Sequence, residues 1–153
     1  MNKKVLFSTD IGSDVDDALA LLVMLNAGIN LKGIYTVNGD VVSRTYIAKH
    51  MMNLAHRNIP VAIGEANSLE NHVEPYSNCE DFYVDNSFFE DRDFEKYKPP
   101  KKVGVIQLGV EDLAKRLKKE KYVIFNTAPL TNIAKLIQNH PQVLGNIEKL
   151  YIM

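Results

Sequence analysis

The sequence predicts an α/β fold, a mostly parallel open sheet with helices on both faces. Short apolar runs of strand length alternate with longer segments of helical period along nearly the whole chain. That alternation implies βαβ crossovers and parallel pairing. Polar turns rich in Asp, Asn and Gly follow the first, second and fourth apolar runs, so all three would open at one edge of the sheet. No repeat or low-complexity tract interrupts the pattern, and residues 1–153 read as a single domain.

Val5-Leu6-Phe7 is the first buried strand. The next turn packs Asp10, Asp14, Asp16 and Asp17 into eight residues, with Gly12 allowing a tight bend. Ala18 to Leu25 is an almost wholly apolar helix. Asp14 is placed to cap it, with Asp16 and Asp17 in its first turn. Asn26-Ala27-Gly28 ends it, with Gly28 at the usual glycine position. Leu31 to Val37 reads as the second strand and runs into Asn38-Gly39-Asp40. A helix from about Val42 to Arg57 then places Ile47, Met51, Leu54 and Ala55 on one face. Ile59 to Ile63 is a short third strand.

Residues 66–102 change character. Asn and Pro break any period there, yet Tyr76, Phe82, Tyr83, Phe88, Phe89, Phe94 and Tyr97 argue against simple disorder. A lid or interface segment is expected. Regular structure resumes with a helix over Val105 to Lys119, carrying Ile106, Val110, Leu113 and Leu117 inward. Tyr122 to Phe125 is the fourth strand, followed by Asn126-Thr127-Ala128-Pro129. Pro129 suits the first turn of a helix running to about Gln138. After a short helical piece, Lys149 to Met153 is the fifth strand.

A net charge of −1 gives no reason to expect nucleic acid or an anionic membrane as partner. The longest apolar stretch, Ala18 to Leu25, is too short to span a bilayer, and no secretory signal precedes it. A single cysteine, Cys79, fits a reducing compartment, so a cytoplasmic protein is expected. Cys79 and His72 both stand in polar loop sequence and read as an inert thiol and a solvated imidazole.

The four aspartates carry the chemistry. Carboxylates this close repel one another unless a positive group compensates. Helix capping accounts for Asp14, Asp16 and Asp17 but not for Asp10, which sits at a strand end. Oxygen donors of this density suit a hard divalent cation, Ca²⁺ or Mg²⁺. The spacing is not that of an EF-hand, and no phosphate loop occurs. Ser8-Thr9-Asp10-Ile11-Gly12 also lacks the Asp-x-Asp-x-Thr form of a haloacid dehalogenase-type phosphatase.

Three stretches together resemble the inosine-uridine-preferring nucleoside hydrolase family. Asp10-Ile11-Gly12-Ser13-Asp14-Val15-Asp16-Asp17-Ala18 is similar to its acidic signature, with two extra residues. Thr36-Val37-Asn38-Gly39-Asp40 resembles its Thr-Val-x-Gly-Asn segment, and Asn126-Thr127-Ala128-Pro129-Leu130-Thr131-Asn132-Ile133-Ala134 resembles its Thr-Gly-Pro-Leu-Thr-Asn-Ile-Ala segment. The resemblance implies a Rossmann-like core and Ca²⁺-assisted hydrolysis of the N-glycosidic bond of ribonucleosides, a salvage reaction. By position, Asp10 would be a metal ligand and the base, Asp17 a metal ligand, and Thr127 a ligand through its carbonyl. Asp16, Asn38 and Asp40 would face the ribose.

Ser8 and Asp40 depart from the family pattern, which carries Asp and Asn there in many members. The resemblance covers the N-terminal half of the family. Its other half supplies a further Asp ligand, a His near the leaving base, and Asn and Glu contacts to ribose. Reduced or lost turnover is therefore expected, and so is a homo-oligomer or a complementing C-terminal chain that covers the last strand. Two readings stand beside the enzyme: a non-catalytic module that binds metal and ribose, and an assembly subunit whose acids only cap a helix.

Overall fold

The computed structural model describes residues 3–70, 105–106 and 108–153. Six strands form one sheet: β1 Lys4–Thr9, β2 Asn30–Thr36, β3 Val61–Ala62, β4 Val105–Ile106, β5 Tyr122–Asn126 and β6 Ile147–Ile152. Their spatial order is β4-β3-β2-β1-β5-β6, and every pairing is parallel. The helices are α1 Asp16–Asn26, α2 Val41–Leu54, α3 Gly109–Leu117 and α4 Thr131–Asn139, and a 3₁₀ segment spans Pro141–Asn146.

Alternation along the strands divides the core in two. Phe7, Ile34 and Val61 point to one face, where Leu21, Met24 and Leu25 of α1 and Ala48 and Met52 of α2 cover them. Leu6, Tyr35, Ala62 and Ile124 point to the other, against Val110, Leu113 and Leu117 of α3 and Ile133 and Leu136 of α4. Both faces are thus buried, as a parallel sheet requires. Helix α1 is apolar on its outer side as well, with Leu19, Leu22 and Val23 exposed.

Three expectations are corrected. The helix expected from Val105 begins at Gly109, because Val105–Ile106 pairs with Val61–Ala62 as a sixth strand. Gly109 has no room for a side chain there: a Cβ would lie 2.6 Å from the Ile63 carbonyl oxygen, which accepts the Gly109 N–H at 2.8 Å. Asp14 does not cap α1. The flanking residue is Val15, and no side chain bonds the helix start from that position. Pro129 lies ahead of α4, which begins at Thr131.

The stop after α1 follows expectation. Gly28 takes φ +69°, and the Ile29 N–H closes back on the Met24 carbonyl at 3.1 Å. From residue 71 on, the segment expected as a lid lies outside the described residues.

Candidate active site

Register brings the strand ends together. Thr9 stands beside Thr36 on β2, and Ser8 beside Asn126 on β5. The polar turns after β1, β2 and β5 therefore leave the sheet along one edge. From β1 the chain winds outward through β2, β3 and β4, then returns to lay β5 against the opposite side of β1. Strand order reverses at that seam, and ligands of open α/β sheets bind at such a place.

Asp17 lies at the seam. It is 3% exposed, in the first turn of α1. The Thr127 hydroxyl, at the end of β5, donates to its Oδ1. Thr9 adds a second hydroxyl, and the Asp10 carboxyl lies within hydrogen-bonding reach. Burial pushes the Asp17 carboxyl up from an ordinary 3.8 to about 7, and the neighbouring Asp10 charge adds to the rise, against the opposing pull of the two hydroxyls. Thr127 is itself fixed by its N–H, which donates to the Ser8 carbonyl at 3.1 Å.

Asp14 and Asp16 form a second, outer pair. Their mutual hydrogen bond raises Asp14 and lowers Asp16. Asp16 Oδ1 also accepts the Asp17 N–H at 2.8 Å, so it orients the first turn of α1.

The turn after β2 is built differently. Asn38 and Gly39 both take left-handed backbone, φ 70° and 64°, which Asn and Gly tolerate best. Asp40 caps α2: its Oδ1 accepts the N–H groups of Val42 at 3.1 Å and Ser43 at 3.0 Å, and its Oδ2 accepts the Ser43 hydroxyl at 2.6 Å. Burial would raise the Asp40 carboxyl, but the bonds from Ser43 and Val42 outweigh it and hold it below the usual range. Asn38 contributes main-chain bonds. Its N–H reaches the Glu65 carbonyl at 2.8 Å.

The structure thus gathers Asp10, Asp17 and Thr127 into one cluster, with Asp14 and Asp16 on its outer side. Asn38 and Asp40 occupy the neighbouring turn, where the carboxylate serves the helix. Among the described residues, no three His, Cys, Asp or Glu side chains form a metal-holding group. The contacts of two residues escaped the sequence reading. Arg44 is fully buried and joins the first two turns. Asn132, 1% exposed, donates to the Thr36 carbonyl at 3.0 Å and accepts the Glu65 N–H at 2.9 Å, tying α4 to the ends of β2 and β3. Their partners are main-chain groups, so neither contact left a signal in the sequence.

A doubly covered, wholly parallel sheet with paired carboxylates at its reversal seam defines an α/β protein of the Rossmann-like class. The profile of the inosine-uridine preferring nucleoside hydrolase family matches residues 5–153, and the chain belongs to that family. Its fold is that of solved members. An inosine-uridine preferring nucleoside hydrolase from Bacillus anthracis aligns over 99% of this chain and 50% of its own, with a TM-score of 0.74 and 22% identity. An inosine-guanosine nucleoside hydrolase aligns over 98% and 48%, with a TM-score of 0.73 and 19% identity. A purine-preferring ribonucleoside hydrolase from Gardnerella vaginalis aligns over 99% and 48%, with a TM-score of 0.71 and 22% identity. The chain spans about half the length of each. No match was found among curated protein sequences.

Proposed function

We propose that this chain takes part in hydrolysis of the N-glycosidic bond of ribonucleosides, with a calcium ion held by Asp10, Asp17 and the Thr127 carbonyl. The observation that carries the reading is the contact between Asp17 and both Asp10 and Thr127, which joins two chain-distant turns at the reversal seam. The donor set fits a hard cation: two touching carboxylates, one of them buried and reluctant to ionise, whose charge the Thr9 and Thr127 hydroxyls partly offset. When bound, such an ion supplies Lewis acidity and a docking point for hydroxyl oxygens.

The chain's own groups do the rest. Asp10, the more exposed of the touching pair, takes the proton of the attacking water. Asp16 accepts a ribose hydroxyl, and Asn38 and Asp40 border the sugar from the adjacent turn. The summed negative charge of the acidic turn favours the positive ribosyl group that develops as the bond breaks. Residues 1–153 act as one domain in this reading, in a reducing cytoplasm and in nucleoside salvage. No helix among the described residues is long and apolar enough to cross a membrane. The apolar outer side of α1 supports assembly with a second copy, which light scattering would test.

A second reading, binding of metal and ribose without turnover, is favoured because no three His, Cys, Asp or Glu side chains among the described residues form a group that could hold a metal ion. Release of nitrophenol from a nitrophenyl riboside, with calcium and again after chelation, separates the two. Calcium-dependent release supports the enzyme. Calcium uptake in a calorimeter with no release leaves the binding module, and no uptake at all removes both.

A further inference from the structure

Arg44 has no solvent exposure, and the chemistry above makes no use of it. It sits in α2 just after the Asp40 cap, where its own N–H bonds the Asp40 carbonyl at 3.1 Å. Its guanidinium donates from Nε to the Asn38 carbonyl at 2.7 Å. From Nη1 it donates to the carbonyls of Asp10 and Ile11, the latter at 3.1 Å. These acceptors belong to two separate turns, one after β1 and one after β2.

Arginine suits this place for a physical reason. Its fork is planar and permanently charged, and it presents donors at fixed angles that reach several acceptors at once. Lysine is a single charged point on a flexible stem. Burying a cation is costly unless hydrogen bonds and opposite charge compensate. Here the three carbonyls do so, together with Asp40, whose carboxylate feels the Arg44 charge. The turn being held has two successive residues in left-handed backbone, a conformation that needs external support.

We propose that Arg44 is a positioning residue that locks the Asp10 turn to the Asn38–Asp40 turn, so that the two move as one body. Its consequence for calcium rests on the proposed function, whereas the mechanical coupling does not.

The test is amide hydrogen exchange on the full chain, unaltered and as Arg44→Lys. Exchange should quicken about tenfold or more in both segments, 10–14 and 37–41, while β5 and α4 keep their protection. A rise confined to one turn, a uniform rise across the sheet, or no change overturns the proposal. Should Arg44→Lys fail to fold, nuclear Overhauser contacts in the unaltered protein decide. The Arg44 Nε–H must show contacts to residues of both turns, and contacts to one alone overturn the coupling. Calcium calorimetry runs beside these, with about tenfold weaker binding expected for Arg44→Lys. If the unaltered chain takes up no calcium, the proposed function falls while the exchange result still judges the lock.

Discussion

The Thr127 hydroxyl donates a hydrogen bond to Asp17 Oδ1, joining the end of β5 to the first turn of α1 across 110 residues of chain. The same carboxyl meets Asp10 from the turn after β1. A buried acid with an acidic neighbour holds its proton tightly, and several measurable properties depend on that.

Stability should depend on pH in an unusual direction. The Asp17 carboxyl rises from 3.8 to about 7 in the folded chain, through burial first and then the Asp10 charge. Between those values the folded chain keeps a proton that the unfolded chain has released. The stabilising contribution is therefore fully present below about pH 4 and is lost as pH rises through about 7. Asp17→Asn should abolish that loss and stabilise the cation-free protein at pH 8 by on the order of 2 kcal/mol. Urea unfolding at pH 5 and pH 8, for both proteins, measures it.

Calcium should compete with that proton. Titrated near pH 6.5 in buffers of differing ionisation enthalpy, binding should release a proton, and affinity should rise between pH 6 and 8. Asp10→Ala and Asp17→Asn should each weaken binding roughly a hundredfold. Binding that ignores both substitutions would place the ion elsewhere.

Asp40→Ala should cost about 1–2 kcal/mol, because it strips the cap from α2. Asp40→Asn retains an acceptor and should cost less. Thermal unfolding checks the order of the two. If Asn at this position left stability intact while weakening ribose binding, the carboxylate would have a role in the sugar site as well as at the helix.

Gly64→Ala should be among the most damaging single-methyl changes in the chain. Its Cβ would stand 2.1 Å from the Thr36 carbonyl oxygen and 2.4 Å from Asn132 Oδ1. The first is backbone of the central sheet and cannot swing away. A loss of about 3 kcal/mol is expected from the forced shift, read as the change in urea midpoint.

Much of this arrangement was legible in the chain itself. Strand-length apolar runs placed β1, β2 and β5 within a few residues, because buried parallel strands leave that trace. The apolar run at the end placed β6 although its residues are half-buried or exposed. Asp16 and Asp17 were placed in the first turn of α1, where they are found. Strand β4 was missed because two residues carry no period, and Ile106 suits an inward helical position equally well. The Asp14 cap failed because capping depends on a single backbone angle that composition does not encode. Arg44 and Asn132 were opaque for a related reason. Their partners are main-chain carbonyls and amides, which every sequence contains.

Strand β1 lies inside the sheet, between β2, formed next in sequence, and β5, formed more than a hundred residues later. Its two borders therefore differ sharply in contact order, and closing the distant one carries the larger entropic barrier. Occupancy of the Asp10–Asp17–Thr127 cluster then becomes a reporter of folding itself. An intermediate that has docked only β1 to β2 holds every aspartate of the turn yet lacks the Thr127 carbonyl of the proposed calcium site, so ion uptake during refolding should lag behind the first sheet signal.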